Sequence, residues 1–164
     1  MTIQHSAADE RVVAGQIGRV PRGTWGVARR CHLGVPMVIE NAPRLEDGTP
    51  FPTLFWLTCP ILIKRMSQLE ASGELAALSQ RLEEDDPLRA RLALAVDRYR
   101  ERRDAHEVIS ESGDPPGGGP DRVKCLHAHA AHELADPSNP IGSLALAEVG
   151  WPDCVLPCVE SDRR

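Results

Sequence analysis

The sequence predicts an α+β, helix-rich protein, with a small antiparallel sheet from the N-terminal third packed against a helical hairpin and C-terminal helices. Three observations carry this. Residues 24–59 hold short β-prone and aromatic segments punctuated by Gly and Pro. From Ile61 onward apolar residues recur every three or four positions. The breaks between these patterns are rich in Gly, Pro and Asp, which favour turns and caps. At 164 residues the natural expectation is one domain over 1–164, long enough to bury a core without covalent staples.

Taken in order, "AADERVVAGQI" at residues 7–17 reads as a short helix, with Asp9 as N-cap and Gly18 as stop. "TWGVARRC" and "PMVIENA" flank "HLGV", whose Gly34 permits a tight bend, so the pair reads as a hairpin. "TLFWLTC" is continuously apolar and aromatic, as a buried strand is. These make residues 7–60 the sheet-forming part. Residues 61–111 form the expected helical hairpin. Gly73 punctuates its first arm, Asp86 caps its second, and Pro87 takes the first helical position. The buried face of that second arm should carry Leu88, Leu92, Ala95, Val96 and Tyr99. "SGDPPGGGP" at 112–120 reads as a plain connector and lacks the strand–Gly–Lys pattern of a phosphate loop. Residues 121–164 hold a Cys/His helix capped by Asp121, a short helix over "NPIGSLALAEVG", and an irregular tail with two cysteines.

Net charge is −5, which argues against non-specific nucleic-acid binding. No apolar run approaches the ~20 residues of a membrane span. The N-terminus lacks the basic start and apolar stretch of a secretory signal, so the expected location is cytoplasmic. There thiols stay reduced, and five cysteines point to metal binding or reactivity rather than disulfides. Arg19, Arg22, Arg29, Arg30, Arg44, Arg122 and Lys124 are read as mostly solvated cations.

The richest stretch is "KCLHAHAAHEL", Lys124 to Leu134. On an ideal helix His129 lies roughly 40° from Cys125 and His132 roughly 20° to the other side, while His127 faces nearly opposite. One stripe then carries a thiol and two imidazoles. Cys31 and Cys59 fall at strand ends, and Cys154 and Cys158 fall in the tail. Thiols at element boundaries are free to converge, whereas a mid-core thiol is usually a small apolar filler. Zinc ribbons carry paired CxxC knuckles, which this chain lacks. Single cysteines from distant elements suit an iron–sulfur cluster slightly better than zinc.

The strings "GRVPRGTWGVARRCHLGVP", "APRLEDGTPFPTLFWLTCP", "GGGPDRVKCLHAHAAHELA" and "NPIG", in that order, resemble a bacterial family common in actinobacteria, the domain of unknown function 501. The resemblance runs from Arg11 to Cys158 and implies no established activity. It aligns family motifs with Cys31, Cys59, Cys125, His127 and His132, and a tail cysteine with Cys154 or Cys158. Where relatives carry a proline after the first cysteine, this chain has His32. A Cys-x-His unit formed by Cys125 and His127 serves one site only if the first turn is distorted or lies before the helix starts; otherwise His129 is the better geometric partner of Cys125.

The leading expectation is a metal- or iron–sulfur-binding module with Cys31, Cys59, Cys125 and Cys158 as ligands. Cys154, His127, His129 and His132 are the alternates. A second expectation is a thiol or metal-dependent hydrolase using Cys125 and a nearby histidine, with His129 the better-placed base. A third is a protein that docks an unidentified protein partner through the 61–109 hairpin. No membrane partner is expected.

Overall fold

The computed structural model describes residues 3–109 and 113–159. The last residues of the expected hairpin, the first of the connector and the end of the tail lie outside the described residues. The order is α1 (Ala7–Ile17), β1 (Trp25–Arg30), β2 (Pro36–Asn41), β3 (Phe55–Leu57), α2 (Pro60–Ala71), α3 (Glu74–Glu84), α4 (Asp86–Asp104), α5 (Leu126–Ala135) and α6 (Pro140–Val149). The three strands form an antiparallel sheet in the order β1-β2-β3, so the fold is α+β. No helix among the described residues is long and apolar enough to cross a membrane.

Helix α1 begins at a capping box. Ser6, not Asp9, is the N-cap, and Asp9 sits three residues in and reaches back to the Ser6 amide. The expectation mistook one half of the box for the other. Asp9 also receives both terminal nitrogens of Arg30, at 2.8 and 3.0 Å. That hydrogen bond is the main reason its carboxyl titrates near 2. The ion pair ties α1 to the last residue of β1, next to Cys31. The chain then turns through Gly34, whose φ of 75° is unfavourable for a side chain, and the Gly34 amide donates to the Cys31 carbonyl.

Strand β2 is central and buried along its whole length. Ile39 packs with Val13 of α1 and Trp25. Val38, Phe55 and Leu57 face the larger core with α2 to α6. One buried charge lies within this sheet. Glu40 is buried, and burial alone would raise its carboxyl. Arg102 at 2.6 and 3.0 Å and His106 at 2.9 Å outweigh that, and the net shift is downward. This pair fastens α4 across the sheet.

The expected two-arm hairpin has a divided first arm. Gly73, at φ 94°, separates α2 from α3. The second arm, α4, buries Leu88, Leu92, Ala95, Val96 and Tyr99 as the spacing predicts. Its cap is Asp85, whose carboxylate accepts from the Leu88 amide at 2.8 Å, so Pro87 is the second helical residue rather than the first. The acidic pair Asp85-Asp86 makes this one-residue shift invisible to spacing alone.

Two further corrections fall on the C-terminal third. The Cys/His helix starts at Leu126 with Cys125 as its extended N-cap residue, so Asp121 caps nothing. The Gly-rich connector is not a plain surface loop. Gly117, Gly118 and Gly119 are buried, and the Gly117 carbonyl accepts from the Lys124 amide and from His129. Helix α6 is capped by Asn139, which accepts from the Gly142 amide at 2.9 Å. A Cβ on Gly142 would stand 2.1 Å from the His129 carbonyl oxygen, so only glycine allows α6 to lie this close to α5. Gly142→Ala should lower stability by about 1–3 kcal/mol, the cost of overpacking a close contact. Urea denaturation checks this, and an unchanged midpoint would show that the helices separate freely.

Candidate functional site

The chain gathers its cysteines at two places. At the first, Cys31, Cys59, Cys154 and Cys158 line one small void together with Gln16 and Met37. Cys31 follows β1, Cys59 is the N-cap residue of α2, and the other two come from the tail. Cys59 is buried, Cys31 and Cys154 are half-buried, and Cys158 is exposed. Burial pushes the Cys59 thiol up. The amides of Ile61 and Leu62 pull it down, and charge on Cys158 and Cys154 pushes it up again. Gln16 spans the void's edge. Its Nε2 donates to the Pro36 carbonyl at 2.7 Å and to the Cys158 sulfur at 3.7 Å, while its buried Oε1 has no partner among the described residues.

The tail has no regular structure, so its position depends on side chains that grip its backbone. His32 Nε2 donates to the Cys154 carbonyl at 2.7 Å, and the Trp151 indole donates to His32 Nδ1 at 3.1 Å. Both ring nitrogens are therefore engaged in one tautomer. Arg65 of α2 donates to the carbonyls of Val149, Gly150 and Trp151, each at 3.3 Å. His32, the residue where the family resemblance breaks, is thus the clasp that brings Cys154 to the void.

Cys125 does not line this void. It sits at the second place with Glu70 of α2 and His127, their ligand-capable atoms all within 4.8 Å of one another. Because Cys125 precedes the helix, with φ −152° and ψ 113°, its sulfur turns towards His127 Nδ1 at 3.9 Å. The ideal-helix argument that set His127 apart fails at this first residue. Glu70 Oε1 lies 3.2 Å from the same Nδ1 and accepts from the Leu126 amide at 2.7 Å. The Cys125 sulfur is the main cause that raises His127 to about 9, with the Glu70 charge adding and burial opposing. Glu70 went unread in the sequence, since nothing local links it to residues 56 positions away. The site borders a cleft of about 390 Å³ lined by Phe51, Phe55, Trp56, Leu57, Cys125 and His127, among others.

His129 and His132 belong to neither place. Both are buried under α6. The Asn139 amide nitrogen lies 3.0 Å from Nδ1 of each ring, and His129 Nε2 donates to the Gly117 carbonyl at 2.9 Å. His132 also packs its ring against Phe55 and Tyr99. Burial holds His129 below its ordinary value and His132 down to about 4. The expected thiol–imidazole stripe therefore does not form, and the expected pairing of Cys125 with His129 as base is not made.

Together the fold and these two thiol-bearing places define a small α+β protein with cysteine sites assembled from distant segments. Residues 27–147 match the family described as "Protein of unknown function (DUF501)", and the chain belongs to that family. No curated protein and no solved structure is significantly similar to it.

The buried histidines have a measurable consequence. The folded pKa of His132 is depressed, so its stabilising effect is full above about 6.5 and is lost as pH falls from about 6.5 to about 4, because the unfolded chain binds the proton first. The loss reaches about 3 kcal/mol, with His129 acting in the same sense. The urea midpoint should drop between pH 7 and pH 4.5, and His132→Gln should flatten that slope. An equal slope in the variant would assign the effect elsewhere.

Proposed function

We propose that the protein is a metal-binding module whose cofactor, an iron–sulfur cluster in preference to zinc, is held by Cys31, Cys59, Cys154 and Cys158. One observation carries the reading: four of the five cysteines, from three distant segments, line a single void. Compared with the sequence-based ligand set, Cys154 replaces Cys125. Chance does not favour this clustering, because the tail must be clasped by His32 and Arg65 to complete it.

Two features agree with a cluster as the bound group. Among the described residues no three cysteine sulfurs lie mutually within 4.8 Å. A lone tetrahedral zinc with bonds of about 2.3 Å would draw its thiolates to about 3.8 Å from one another. A cluster puts several atoms between its thiolates and tolerates wider spacing. The Ile61 and Leu62 amides at the start of α2 also lower the Cys59 thiol against its burial. Such amides stabilise thiolate charge and tune a cluster's potential. The bound group would join the sheet, α2 and the tail, so it would contribute to folding as well as to redox or sensing chemistry.

Anaerobic purification followed by visible absorption and iron, sulfide and zinc analysis tests this. Absorbance near the thiolate-to-iron region with iron and sulfide in equal amounts is expected. Cys31→Ser and Cys59→Ser should each remove most of it, and Cys125→Ser should leave it intact. A colourless protein, folded and free of iron, would sink the cluster; zinc lost in the same variants would establish the single-ion form.

A further inference from the structure

We infer that Glu70, Cys125 and His127 form a second, independent site for a single divalent transition-metal ion of the zinc type, with its fourth position open to the neighbouring apolar cleft.

The argument starts from the histidine. His127 Nε2 lies 3.1 Å from the Ile63 carbonyl, which only accepts, so Nε2 carries the hydrogen. Ser67 spends its own hydrogen on the same carbonyl at 2.9 Å and adds an acceptor beside Nε2. This is the outer hydrogen bond that orients a metal-binding imidazole, and an entering ion would displace the proton from the other nitrogen. Nδ1 is then the ligand atom, and around it stand a carboxylate oxygen at 3.2 Å and a sulfur at 3.9 Å. Tetrahedral bonds of about 2.0 Å to nitrogen and oxygen and about 2.3 Å to sulfur require separations of about 3.3 and about 3.6 Å. The arrangement is within a few tenths of an ångström of both. Glu70 is itself oriented by the Leu126 amide.

The same geometry rejects a nucleophile triad. There the thiol and the carboxylate engage opposite ring nitrogens, so that a proton passes through the ring. Here both converge on Nδ1, while Nε2 is committed to the backbone. Convergence on one nitrogen places all three groups around a single point, as chelation requires. Three protein ligands with a free position are the pattern of a catalytic rather than a structural zinc.

The free position decides the ligand class. Cys125 and His127 line the cleft of about 390 Å³, and its other walls include Phe51, Phe55, Trp56 and Leu57. A molecule that fits has a small oxygen head able to bind the metal and an aromatic or aliphatic body. Metal-bound water at that position would serve hydrolysis of an apolar acyl compound, with water adding to the carbonyl carbon and the leaving group departing with the proton.

Cobalt(II) titration of the full-length protein tests the site through its visible bands. Intense tetrahedral bands with one thiolate charge-transfer feature are expected. Glu70→Gln, which keeps the Leu126 hydrogen bond, and Cys125→Ser should each weaken cobalt binding on the order of tenfold or more. Because the four-thiol site can also take cobalt, the titration is read in a Cys31→Ser background, where that site is broken and the bands report Glu70, Cys125 and His127 alone. Benzohydroxamate should shift the bands at concentrations roughly tenfold below acetohydroxamate, reflecting apolar contact in the cleft. Bands that vanish in Cys31→Ser but survive Cys125→Ser would overturn the assignment. So would a folded wild type that binds no cobalt, while equal potency of the two hydroxamates would overturn the apolar ligand class.

Discussion

The arrangement depends on how closely α6 can lie on α5, and that rests on Asn139 and Gly142. Asn139 caps α6 through its side-chain oxygen and turns its amide nitrogen to two imidazoles of α5. Gly142 removes the one side-chain atom that would hold the helices apart. With α5 seated, Leu126, Ala130 and Ala131 are fully buried against the core. The helix start is then set beside α2, and Cys125 and His127 meet Glu70 as a result. The histidines read as ligands turn out to be the means by which the helix is positioned.

Charge is handled differently at the two levels of the fold. In the sheet and its flanks, buried or half-buried carboxylates have arginine partners, as in Asp9 with Arg30 and Glu40 with Arg102. Such pairs offset the desolvation of each ion and fix which elements abut. At the cysteine sites the compensation is incomplete. Gln16 Oε1 has no partner among the described residues, the thiols of the first void repel when ionised, and His127 Nδ1 faces two acceptors. A cation would offset these at once, which is the physical reason both places are proposed as metal sites.

Much of the fold was legible from spacing. The strand segments, the buried face of α4 and the end of α1 at Gly18 were all readable, because propensity and periodicity act over a few residues. Errors gathered at caps. Ser6 versus Asp9, Asp85 versus Asp86 and Cys125 versus Asp121 are choices among adjacent polar residues that local pattern does not separate. The last of these mattered most, since a four-residue shift in the helix start reversed the roles of His127 and His129.

By itself the sequence determined the element types and the placement of the cysteines at strand ends, near a helix start and in the irregular tail, outside the middle of any element. It also determined the absence of paired knuckles. Only the tertiary structure decided which thiols meet. It joined Cys154 and Cys158 to Cys31 and Cys59, and it separated Cys125 to stand with Glu70. The reason is physical: the tail is held by single hydrogen bonds from His32 and Arg65 to backbone carbonyls. Contacts of that kind impose no period on the sequence and become visible only when the chain is folded.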